Sequence, residues 1–136
     1  MKSEINFYQV DETITKALAP LLIKVLEENK KALVFCANQA QIKEIDDSLW
    51  SYGRNKFIPH ITVLDKDFIL ERQPIFITDK EENANKADYL VFLSEPSEVF
   101  VSKFKRVFHF FEGKSSAKIK PTNSYKKVDG KWVKEK

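Results

Sequence analysis

The sequence predicts one α/β domain, built on a mostly parallel sheet with helices on both faces. Three observations carry that prediction. Residues 31–36 and 87–93 are short, nearly unbroken apolar runs, the pattern of strands buried on both sides. Segments with apolar residues at helical spacing lie between the strands. The connections are short, as in chains that alternate strand and helix. With 136 residues the chain has room for one core, so residues 1–136 are read as a single domain with a basic C-terminal segment, 112–136.

The elements follow in order. Ile5-Asn6-Phe7-Tyr8-Gln9-Val10 alternates apolar and polar side chains and reads as the first strand. Ile14, Ala17, Leu18, Leu21, Leu22, Val25 and Leu26 recur at helical spacing. Pro20 interrupts them, and a proline inside a helix removes a hydrogen bond and crowds the preceding turn. A kink is expected there, or a turn followed by a separate helix over roughly 20–29. Residues 31–36 form a buried strand. Asn38 and Gln41 are spaced as a capping pair for a helix carrying Ile42, Ile45 and Leu49. Residues 54–60 read as a loop, 61–64 as a short strand, 73–78 as another, and 79–86 as a polar loop. Residues 87–93 are the clearest buried strand. Ser94 and Pro96 open a short helix with Val99, Phe100 and Phe104. Residues 106–111 are one more strand. Residues 127–133 have the form of a small hairpin around Asp129-Gly130.

Composition bounds the function. No run approaches the roughly 20 apolar residues that span a bilayer, and residues 1–7 lack a signal-peptide core. A cytoplasmic protein is expected, and the single cysteine fits that setting. Charge is unevenly spread. Residues 1–102 hold 12 Lys/Arg against 17 Asp/Glu, whereas residues 103–136 hold 11 against 3. A basic pole on an acidic body points to an anionic partner, or to a solvated Lys-rich tail.

The chemistry of an enzyme is missing. A phosphate-binding turn needs glycines after the first strand. Here that turn is Gln9-Val10-Asp11-Glu12-Thr13, and the only glycines are Gly53, Gly113 and Gly130. Cys36 ends a buried strand and reads as a small core residue. His60 and His109 are isolated, with no Cys/His spacing for a metal. Asp46 and Asp47 are adjacent on a helix and diverge, so they do not form an acid–base pair. No catalytic residue, cofactor or metal is expected.

One stretch is more specific. It runs from Ile45-Asp46-Asp47-Ser48-Leu49-Trp50 through Ser51-Tyr52-Gly53-Arg54-Asn55-Lys56 to Phe57-Ile58-Pro59-His60. It resembles the signature of the chi subunit of bacterial DNA polymerase III, a clamp-loader accessory protein. Phe7-Tyr8, residues 31–37, Gln73-Pro74-Ile75, residues 88–93 and residues 107–111 are similar to that family in the same order. The resemblance implies a Rossmann-like three-layer α/β fold without a nucleotide-binding glycine loop. It also implies a non-catalytic adaptor that links the clamp loader, through the psi subunit, to single-stranded DNA-binding protein (SSB) during DNA replication.

Two binding surfaces come with the resemblance. The psi-binding residues would be Leu49, Trp50, Phe57, Ile58 and Pro59. Aromatic side chains near a helix end are effective interface anchors, although they also commonly close a core. The second surface would take the C-terminal tail of SSB, which is acidic and ends in Pro-Phe with a free carboxylate. Such a ligand needs an apolar pocket with a basic rim. Phe111 would supply the apolar part, Lys118 and Lys120 the rim, with Tyr125 and Lys126 beyond. Contact with DNA would be indirect, and no membrane is involved.

The chain departs from the family here. Members usually continue with an Arg-rich helix, whereas this chain has Ala117-Lys118-Ile119-Lys120-Pro121-Thr122-Asn123-Ser124-Tyr125-Lys126. Pro121 opposes a helix, and Lys lacks the bidentate geometry of Arg toward a carboxylate. The alternative function is direct binding of single-stranded nucleic acid by the Lys-rich end, with Tyr125 and Trp132 stacking on bases.

Overall fold

A computed structural model describes residues 4–10, 14–50, 61–62, 74–83, 85–112, 118–119, 121–128 and 131–135. The strands are β1 (Glu4–Val10), β2 (Ala32–Phe35), β3 (Ile61–Thr62), β4 (Ile75–Thr78), β5 (Tyr89–Phe92), β6 (Arg106–Glu112), β7 (Asn123–Val128) and β8 (Lys131–Glu135). The helices are α1 (Ile14–Glu27), α2 (Gln39–Trp50) and α3 (Glu98–Val101). The strands form one sheet in the order β3-β4-β2-β5-β6-β1-β7-β8. Every described pairing is parallel except the β7–β8 hairpin.

Alternation along each strand divides the core into two layers. Ala32, Val34, Ile75, Ile77, Val91, Phe108 and Phe110 pack with α1 and α2 on one face. Leu33, Phe35, Phe76, Leu90, Phe92 and Val107 pack with Phe100, Val101 and Phe104 on the other. The central strands are therefore buried on both sides, which is why they read as continuous apolar runs. Each fully buried Leu or Phe, such as Leu33 or Phe92, contributes about 1.5–3 kcal/mol of transfer free energy.

Helix α1 decides between the two expectations at Pro20. It is a single helix with Pro20 inside it, not a turn followed by a second helix. Leu18, Ala19, Leu22 and Val25 are each at most 1% exposed, so both halves of the helix are held to the sheet by one apolar stripe. Pro20 itself is exposed. The hydrogen bond it forfeits is outweighed by that packing.

Helix α2 starts as its spacing predicts. Asn38 Oδ1 accepts from Gln41 N at 2.9 Å, and Gln41 Oε1 accepts from Ala37 N at 2.7 Å. Helix α3 is only four residues long, and its cap is Ser97 rather than Ser94. Ser97 Oγ accepts from Phe100 N at 3.2 Å. Glu81 fixes the cap by accepting from Ser97 N at 3.0 Å and from Ser97 Oγ at 2.5 Å. Strand β3 is described only at Ile61 and Thr62, and the rest of the expected strand over 61–64 lies outside the described residues. The hairpin has the expected register, with Val128 opposite Lys131. Asp129 and Gly130, like Gly53 and Gly113, lie outside the described residues.

Candidate functional site

The sheet register assembles an aromatic row on the α3 face. Phe92, His109 and Phe7 are partners across β5, β6 and β1, and Ser124 continues the row on β7. The His109 ring stacks on Phe92, with centroids 4.4 Å apart, and on Phe111 at 5.2 Å. Phe7 meets His109 and Phe111 edge-on at 5.0 and 5.9 Å. His109 Nδ1 lies 2.9 Å from the Phe92 carbonyl. A carbonyl oxygen only accepts, so Nδ1 carries the proton. Burial holds the His109 pKa below its usual value, and the Phe92 carbonyl and Glu95 offset this only in part. The imidazole therefore behaves as a neutral aromatic ring within the core.

The next row on this face is Phe111 on β6, Gln9 on β1 and Lys126 on β7. Phe111 is half-buried and Lys126 is exposed. A short segment lies over the aromatic floor. Ile119 is 9% exposed and packs with Phe7, Phe92 and Val107, while Lys118 beside it is exposed. Two anchors hold the segment. Glu95 Oε2 accepts from Lys118 N at 2.7 Å and from Ile119 N at 2.8 Å. Downstream, Thr122 N donates to the Ile5 carbonyl at 2.7 Å, and Ile5 N donates to Thr122 Oγ1 at 3.1 Å.

The structure thus brings Phe111, Lys118 and Lys126 to one face of the sheet. It does not bring Tyr125 there. Tyr125 stacks on Tyr8 at 4.9 Å, and Tyr8 packs with the α1/α2 layer. Adjacent residues of a strand point to opposite faces, so Tyr125 and Lys126 diverge. Lys120 lies outside the described residues. Sequence reasoning alone does not find Glu95, Phe7, His109 and Ile119 as residues of this surface. The alternation of Ile5, Phe7 and Gln9 is a usable signal for Phe7. Nothing local marks Glu95, because its partners are 23 and 24 residues away.

At the other candidate surface, Leu49 is 2% exposed and belongs to the α1/α2 core. Trp50 is the last residue of α2. Phe57, Ile58 and Pro59 lie outside the described residues.

Other chemistry has little to build on. Cys36 is buried, and burial pushes its thiol up to about 12, far from a reactive thiolate. Among the described residues, no group of three or more His, Cys, Asp or Glu is arranged to hold a metal ion. No described helix is long and apolar enough to cross a membrane.

Comparison with known proteins agrees with this picture. The sequence model of the family described as DNA polymerase III chi subunit, HolC, matches residues 1–132. A probable DNA polymerase III subunit chi of Rickettsia prowazekii is 30% identical over 109 residues, covering 74% of this chain and 64% of the relative. The chain thus spans less than two thirds of that relative's length. The DNA polymerase III subunit chi of Haemophilus influenzae is 26% identical over 133 residues, covering 94% of this chain and 91% of the relative. That of Pseudomonas aeruginosa is 27% identical over 109 residues, 77% of this chain and 74% of the relative. With a family match along almost its whole length and an α/β sheet of the expected kind, the chain belongs to the DNA polymerase III chi subunit family, whose members are accessory rather than catalytic subunits of that polymerase.

Proposed function

We propose that this chain is an adaptor of the DNA polymerase III holoenzyme in the cytoplasm. It links the clamp loader, through psi, to the C-terminal tail of SSB during DNA replication. The observation that carries the SSB half is the α3-face surface: an aromatic floor of Phe7, His109 and Phe111, closed by Ile119 and flanked by Lys118 and Lys126. An acidic tail ending in Pro-Phe and a carboxylate has the complementary chemistry. Its terminal ring would join the aromatic row, where edge and stacked contacts are worth about 0.5–1.5 kcal/mol beyond area burial. Its carboxylates would meet the two ammonium groups, with Lys120 as the third cation of the rim. Tyr125 does not belong to this pocket, because it sits on the opposite face.

The psi half rests on Trp50, Phe57, Ile58 and Pro59, with Leu49 supporting the end of α2 from inside the core. A large aromatic at the end of a core-anchored helix is a suitable interface anchor.

Titration with a synthetic SSB-tail peptide tests the first half. Saturable binding of order micromolar, about −8 kcal/mol, is expected. It should weaken with salt, and a peptide lacking the terminal Phe should not bind. The Lys118→Glu/Lys126→Glu double variant is expected to bind the tail more weakly. Equal binding of the tail and the Phe-less control would refute the reading. For the second half, Trp50→Ala is expected to lose psi binding while keeping its circular dichroism spectrum. Unfolding would instead place Trp50 in the core.

A further inference from the structure

The other face of the same hairpin carries a separate set of groups. Phe110, Tyr8 and Tyr125 are partners across β6, β1 and β7. Their rings stack as a ladder, with centroids 5.1 and 4.9 Å apart and planes 18° and 11° from parallel. Trp132, on β8, meets Tyr8 at 5.0 Å with its plane turned 77°, so the indole lies across the ladder. It remains 37% exposed. Lys134 is paired with Tyr125 in the hairpin register and is exposed, and Lys127 is paired with Trp132. On this face α1 packs chiefly over β6, and α2 over β3 and β4, so the described helices lie away from the hairpin. Residues 118–136 hold seven Lys against one Asp and one Glu.

We infer that the Trp132–Tyr125–Lys134 face of the β7–β8 hairpin binds single-stranded nucleic acid, on the side of the sheet opposite the pocket proposed for the SSB tail. The occupant follows from the chemistry. Every base offers a π face to an exposed indole, and every nucleotide carries a phosphate for a lysine-rich rim. The edge-on contact of Trp132 with Tyr8 orients the indole before a base arrives, which reduces the ordering cost on binding. Because Tyr125 and Lys126 leave β7 on opposite faces, the two partners would not compete for the same side chains. An adaptor so built would touch the strand that its partner coats.

The test is fluorescence anisotropy of an end-labelled oligo(dT) of about 20 nucleotides with the full chain, at about 50 and about 200 mM salt. Saturable binding that weakens at the higher salt is expected. Trp132→Ala is expected to weaken it by about 5- to 100-fold, the equivalent of one base stacked on an aromatic ring. Lys134→Glu, a surface change that leaves the aromatic ladder in place, is expected to weaken it as well and to reduce the salt dependence. Val99→Ser, an exposed change at a position 70% accessible on α3, is expected to bind as the parent does. No saturable binding at the lower salt would overturn the inference. So would parental affinity in both Trp132→Ala and Lys134→Glu. If the two substitutions instead abolished binding of the SSB-tail peptide while oligo(dT) binding persisted, the face would belong to the acidic peptide and the nucleic-acid assignment would fail.

Discussion

Replacing Glu95 with Ala is expected to release the segment that covers the aromatic floor. Glu95 accepts two backbone N–H groups on one oxygen, at 2.7 Å from Lys118 and 2.8 Å from Ile119. Hydrogen bonds to a charged acceptor contribute about 1.5–3 kcal/mol each when shielded from water. The Lys118 bond is exposed, and water replaces it at little cost, so about 0.5 kcal/mol is assigned to it. The Ile119 bond is part-buried and keeps about 1.5 kcal/mol. Together they favour the closed segment by about 2 kcal/mol, a factor of about 30 in the opening equilibrium. Amide hydrogen exchange reads this directly. In Glu95→Ala the protection of Ile119 N–H should fall by about 30-fold, while that of Leu90 in β5 stays unchanged. Glu95→Gln keeps an acceptor without the charge and should fall between parent and Ala. Affinity for the SSB-tail peptide should drop in the same order. Unchanged Ile119 protection in Glu95→Ala would refute the clamp. An equal loss at Leu90 would show that Glu95 supports the whole fold rather than this segment.

Three further outcomes are expected. The folded His109 pKa lies below its usual value because the ring is buried, so the unfolded chain takes up the proton first as pH falls. Stability should therefore be full above about pH 6.5 and decline below it, and His109→Phe should flatten that slope. Urea unfolding at pH 7.5 and 5.5 decides this, and parallel slopes in both proteins would count against it. Cys36 is fully buried with its thiol pushed up to about 12, so labelling by a thiol reagent at pH 8 should occur only through unfolding. Labelling much faster than global unfolding would contradict the buried position. Pro20→Ala should raise the urea midpoint, stabilising the fold by about 1 kcal/mol. A helix interior gains a hydrogen bond there, and only part of the gain is offset by a more flexible unfolded chain. A lower midpoint would mean that the proline-shaped course of α1 is what the sheet requires.

Much of the local structure was legible in the sequence. Residues 31–36 and 87–93 read as strands, and contain β2 and β5, because a strand covered on both faces has no polar side to show. Asn38 and Gln41 marked the start of α2, since a cap is a contact between near neighbours. Asp129-Gly130 indicated the hairpin for the same reason. The continuity of α1 was not legible. Pro20 opposes a helix locally, and only the stripe formed by Leu18, Ala19, Leu22 and Val25 against the sheet overrides it.

For the candidate sites, composition alone established a basic C-terminal pole, and alternation established that neighbouring strand residues diverge. Neither says which strands lie side by side. The order β3-β4-β2-β5-β6-β1-β7-β8 joins β1 to β6 and β7, about 100 residues downstream. That pairing puts Phe111 and Lys126 on either side of Gln9 in one row, carries Tyr125 to the other face, and brings Glu95 to a segment more than 20 residues away. Side-chain periodicity is a property of consecutive residues, so the sequence by itself determined what each element buries. Strand neighbours, register and the long-range clamp are set by which buried faces pack together, and only the tertiary structure decided those.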